Sequence, residues 1–122
     1  MVKAKSNRTR ERRIEQEIVV DAYTPEERSI SWFYYLEEKL AFPFRARSVS
    51  LRAISPLKKD EELEVVGMAK EEDCMHEMCV LIRFAGRKLG VPLAQLEPLS
   101  ANEATKESVD DWRYWAGMGY VF

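Results

Sequence analysis

Glu26, Glu27, Glu37 and Glu38 fall at opposite ends of one helix-prone segment, and helix electrostatics gives the two pairs different meanings. Glu26 and Glu27 lie in the first turn, where the macrodipole and free backbone N–H groups favour negative charge. They need no functional explanation. Glu37 and Glu38 lie in the last turn, where the dipole disfavours an anion by about 0.3–1 kcal/mol. A bound cation reverses that penalty, and the free carbonyls of a helix end are hard oxygen ligands of the kind calcium takes. One ion cannot use both ends, because Glu27 and Glu38 lie about 16 Å apart at 1.5 Å per residue.

Two further groups of acids fit the same chemistry. Asp60, Glu61, Glu62, Glu64, Glu71, Glu72, Asp73 and Glu77 crowd one region, and Glu103, Glu107, Asp110 and Asp111 follow three-and-four spacing near the carboxyl end, where like charges repel. The plainer reading of most of them is solvated surface. The candidate metal ligands are Glu37, Glu38, Glu61, Glu62, Glu72, Asp73, Glu77, Asp110 and Asp111. No EF-hand loop is present, so a calcium site has to be assembled from separate elements.

Other chemistry is scarce. His76 is the single histidine, which limits any Ser-His-Asp or Cys-His system to one built on it, and no glycine-rich phosphate loop or dinucleotide fingerprint occurs. Cys74, His76 and Cys79 could hold zinc only with a fourth ligand from elsewhere. The plainer expectation is two free thiols, Cys79 at a core strand position and Cys74 packed in a loop. No catalysis and no other cofactor is expected.

The elements that position these groups can be read from periodicity. Thr24-Pro25-Glu26-Glu27 is a capping box with proline at the first helical position, so a helix starts at Pro25. Its apolar stripe reads as Ile30, Phe33, Leu36 and Leu40, and it ends near Ala41 because Pro43 restricts Phe42. From Phe44 the period becomes two, with Phe44, Ala46 and Ser48 on one face. Further strands are expected over Leu63–Ala69, Met78–Phe84 and Leu89–Leu93, then one tight helical turn through Pro92–Pro98. A last helix from about Asn102 to Gly117, stopped by Gly117 and Gly119, carries Val109, Trp112, Tyr114 and Trp115. With Tyr120 these aromatics read as core more readily than as a binding platform. The expected fold is α+β, a small antiparallel barrel similar to the Src-homology-3-like fold, flanked by an N-terminal and a C-terminal helix.

The chain has 122 residues, 46% of them hydrophobic and 33% charged, which suits one domain with one core. Its net charge of −2 hides an asymmetry: residues 1–13 carry six basic side chains against Glu11 alone, a net of +5, which leaves −7 for the remainder. Residues 1–13 are therefore expected to be a basic flexible tail, and residues 14–122 a single calcium-binding domain. The tail lacks interleaved aromatics and the acidic body repels phosphates, so nucleic acid is not the expected partner. No apolar run of membrane-spanning length and no secretory leader is present, and a cytoplasmic monomer is expected.

Seven blocks carry a resemblance: Val20-Asp21-Ala22-Tyr23-Thr24-Pro25-Glu26-Glu27, Trp32-Phe33-Tyr34-Tyr35-Leu36-Glu37-Glu38-Lys39-Leu40, Phe42-Pro43-Phe44, Glu64-Val65-Val66-Gly67-Met68-Ala69, Cys74-Met75-His76-Glu77-Met78, Val91-Pro92-Leu93 and Asp111-Trp112-Arg113-Tyr114-Trp115. In this order, from about Arg13 to Phe122, the sequence resembles the small bacterial calcium-binding family first recognised in cyanobacteria, whose members lack EF-hands. Glu38 stands where that family usually has Asp, Cys79 where it has a large aromatic and Arg113 where it has His. The resemblance implies reversible calcium binding, as a buffer or sensor. The alternative is an interaction module whose acidic face docks a basic partner protein.

Overall fold

The computed structural model describes residues 7–118. Helix α1 spans Arg8–Arg13 and continues into one wider, π-wound turn, Ile14–Ile18; α2 spans Pro25–Lys39 and α3 Glu103–Gly117. The strands are β1 Phe44–Ser48, β2 Glu62–Met68, β3 Cys79–Phe84, β4 Arg87–Pro92 and β5 Leu96–Ser100. Short 3₁₀ turns cover Glu71–Cys74 and Leu93–Gln95. Among the described residues no helix is long and apolar enough to cross a membrane.

Local chemistry sets the boundaries much as expected. The Thr24 hydroxyl accepts the Glu27 N–H at 3.1 Å, and Asn102 caps α3 by accepting the Thr105 N–H at 2.8 Å. Ala85 and Gly86 both take positive φ, the geometry of a two-residue hairpin turn whose twist matches its strands, and Phe84 pairs with Arg87 across it. Gly119 and Tyr120 lie outside the described residues.

Three expectations are corrected. The sheet is antiparallel and open, in the order β4-β3-β2-β1-β5, rather than a closed barrel. The segment ending at Pro98 is one 3₁₀ turn followed by β5, whose Pro98 sits opposite Ala46. Proline is tolerated there because β5 is an edge strand with one side free of ladder hydrogen bonds. Finally, residues 8–13 of the basic segment are helical, capped by Asn7, whose side chain accepts the Arg10 N–H at 2.9 Å; residues 1–6 lie outside the described residues.

Phe44, Ala46, Leu63, Val65, Val80, Ile82 and Val91 from the sheet form the core with residues of α2 and α3. On α2 the buried stripe is Ser29, Trp32, Phe33 and Leu36, closed by Leu40, whereas Ile30 is 44% exposed. Trp32 takes the central place: its ring lies 5.1 Å from that of Trp112, edge-on, and 5.7 Å from that of Trp115.

Candidate functional site

The acids divide by whether the fold gives them a cation. Antiparallel register sets Arg45 opposite Glu64 and Arg47 opposite Glu62, which interleaves charges on the solvent face of the sheet. There Arg47 bridges Asp60 at 2.6 Å and Glu97 at 3.1 Å, Arg45 reaches Glu62 at 3.4 Å, and Arg83 meets Glu64 at 2.8 Å. Arg52 holds Glu77 at 2.7 Å, and Glu61 accepts the Lys58 N–H at 2.9 Å. Asp111 is fully buried between Arg10 at 2.6 Å and Arg13 at 2.5 Å, with the Tyr35 hydroxyl at 3.4 Å. Burial pushes its carboxyl above the ordinary value, against the opposing pull of Arg13 and Arg10. Thus Glu61, Glu62, Glu77 and Asp111, four of the expected ligands, already have protein partners. Asp110 is exposed on α3, whereas Asp111 beside it is buried.

Glu37, Glu38, Glu72 and Asp73 behave differently. All four are exposed, as is Glu71, and none of the five has an ion-pair partner among the described residues. The two elements that carry them, α2 and the Glu71–Cys74 turn, lie against each other. Tyr34 sits at the seam, one turn before Glu37 and Glu38. Its phenol is pushed above its ordinary value, by the neighbouring Glu71 carboxylate first and by Glu37 last. Glu71 and Glu72 also line a hollow with Ser29, Ile30 and Met75. At the end of α2, Leu40 donates to the Leu36 carbonyl at 2.9 Å, whereas the Ala41 N–H turns to the Thr105 hydroxyl at 2.9 Å. The Glu37 carbonyl therefore does not receive the amide that another helical turn would supply.

The donor chemistry fits a hard cation. Among the described residues no three His, Cys, Asp or Glu side chains are gathered closely enough to hold a metal. The donors that α2 and the Glu71–Cys74 turn present are carboxylate and carbonyl oxygens. Calcium tolerates variable coordination by such donors, with six to eight oxygens. Glu71 and Tyr34 are not among the residues singled out from sequence. Glu71 belongs to the acidic run already noted, and Tyr34 lies three and four residues before Glu37 and Glu38, on a neighbouring helical position.

A family model described as calcium binding, that of CcbP, matches residues 12–116. The chain belongs to the CcbP family of calcium-binding proteins. Among solved structures, that of Anabaena CcbP is similar over 100% of both chains, at 35% identity and a TM-score of 0.86. A calcium-binding protein in its calcium-binding form is similar over 100% of both chains, at 34% identity and a TM-score of 0.85. No curated protein matches the chain significantly. The ion of the CcbP family is calcium, for which carboxylates, not thiols, are the suitable donors.

The thiols of this CcbP-family chain are used inward. Cys74 is buried and accepts the Cys79 N–H at 3.3 Å, while the Cys79 thiol lies 3.6 Å from the Glu77 carbonyl. Both cysteines are free, and His76 between them is exposed. Burial pushes both thiols up, Cys79 to about 12 from an ordinary 9. Alkylation by iodoacetamide at pH 8 is therefore expected to be slower in the native protein than in urea, by on the order of a thousandfold at Cys79, because the thiolate is the reacting form. Equal native and denatured rates would contradict this. Since the folded value is the raised one, the associated stability is fully present below about pH 9 and is lost as pH rises toward 12.

Proposed function

We propose that this chain binds calcium reversibly where α2 lies against the Glu71–Cys74 turn, as a cytoplasmic buffer or sensor that catalyses no reaction. Glu37, Glu71 and Glu72 are the carboxylate ligands of this reading, with Glu38 and Asp73 beside them. The observation that carries it is that two elements in contact, α2 and the Glu71–Cys74 turn, both carry exposed acids with no basic partner among the described residues, whereas the acids of the sheet are matched to arginines. Two physical arguments support it. A cation relieves the unfavourable charge of Glu37 and Glu38 at a helix carboxyl end. It also relieves the repulsion among Glu71, Glu72 and Asp73, which are consecutive in the chain. Family membership supports calcium as the ion.

Calorimetric titration of the metal-free protein tests the reading. Calcium is expected to bind with measurable heat, and magnesium much more weakly. Magnesium demands near-ideal octahedral ligands at about 2.0–2.1 Å and gives up water reluctantly, which a site assembled from mobile glutamates does not offset. Absence of calcium binding at millimolar concentration, or equal affinity for the two ions, would overturn it.

A further inference from the structure

The hollow between α2 and the Glu71–Cys74 turn has a second character besides charge. Its apolar lining comes from Ile30 and Met75, 44% and 49% exposed, and Tyr34, 54% exposed, follows Ile30 by four residues on α2. Ile30 and Tyr34 therefore share one helix face. Glu71 and Glu72 supply its charge. The cavity of about 230 Å³ is smaller than the roughly 300–1,000 Å³ of a small-molecule pocket, and it is open. It suits one or two side chains of a segment that continues across the surface.

We propose that this hollow docks a basic segment of a partner protein, placing an apolar side chain or lysine stem on Ile30 and Met75 and a cationic head at Glu71 and Glu72, and that calcium displaces it. Charge complementarity selects the occupant. The two carboxylates have no cation among the described residues, and a lysine or arginine brings both an apolar stem and a charge. The antagonism rests on the calcium reading given above: the ion draws on the same carboxylates and cancels the attraction for the cationic head. Linkage makes the effect reciprocal, so a docked segment lowers calcium affinity by the same factor.

The test is fluorescence anisotropy with a short labelled peptide of lysine and leucine, beside a lysine-only peptide of equal length. The mixed peptide is expected to bind the calcium-free protein more tightly than the lysine-only one. E71Q/E72Q should weaken it by about tenfold or more, and I30S/M75S by about fivefold. Saturating calcium should raise its apparent Kd by about tenfold. Unchanged binding in either variant, or binding that calcium leaves alone or strengthens, overturns the proposal. Calcium calorimetry on I30S/M75S separates the two readings. Retained calcium heat with unaltered peptide binding sinks the docking site alone, whereas no calcium heat in the unsubstituted protein sinks the calcium site and the antagonism with it. Concentration-dependent dimerisation of the free protein, abolished by E71Q/E72Q, would assign the hollow to a second copy and overturn the partner.

Discussion

Neutralising Glu37, Glu71 and Glu72 together to glutamine is expected to abolish the calcium-dependent rise in melting temperature and to leave the metal-free protein as stable as before or more so. All three side chains are exposed and carry no ion pair among the described residues, so neutralising them removes repulsion without breaking an ion pair. A ligand at a hundred times its Kd stabilises the folded state by about 2.7 kcal/mol, a rise of roughly 10 °C for a domain of this size. The triple variant should show almost none of it. The control is Glu26→Gln with Glu27→Gln at the other end of α2. There the helix favours negative charge, and the change should lower stability by about 0.3–1 kcal/mol per residue while the calcium shift persists. The opposite signs make the comparison sharp. A full calcium shift in the triple variant, with its loss in the Glu26 and Glu27 variant, would place the ion at the wrong end of the helix.

Asp111→Ala should be the most destabilising single change in the molecule outside the apolar core. It removes a fully buried carboxylate and strands Arg10 and Arg13, whose side chains are 25% and 26% exposed. Breaking such a pair costs about 3–5 kcal/mol, a fall in melting temperature on the order of 10–20 °C. The loss should have a location: amides of residues 8–18 should exchange faster before those of the sheet, because Asp111 anchors α1 to α3. Calcium affinity should stay nearly constant below the melt. Asp111 meets Tyr35, whereas the proposed site meets Tyr34, and successive helical positions point about 100° apart. A tenfold loss of calcium affinity would make Asp111 a ligand after all, and a stability loss below about 1 kcal/mol would deny the triad its structural role.

What the sequence determined by itself is whatever depends on neighbours in the chain. Thr24-Pro25-Glu26-Glu27 starts α2, Pro43 ends it, Ala85-Gly86 turns β3 into β4, and the alternation at Phe44, Ala46 and Ser48 aims β1 at the core. The unfavourable placement of Glu37 and Glu38 is equally local, because it follows from the helix end alone. Tertiary structure decided the rest. Which acids keep a free charge depends on cross-strand register, which brings arginines to Glu62 and Glu64 from β1 and β3 and leaves Glu71 and Glu72 without one. Ile30 and Trp32 are both apolar and two residues apart, and only the packing of α3 chooses Trp32 for the core. The basic segment at the start shows no apolar period, yet residues 8–13 are helical because a carboxylate about a hundred positions away faces two of its arginines. Periodicity reports interactions within one element. A charge pair between elements distant in the chain leaves no period to read, and burial makes that pair strong only after the core has formed around it.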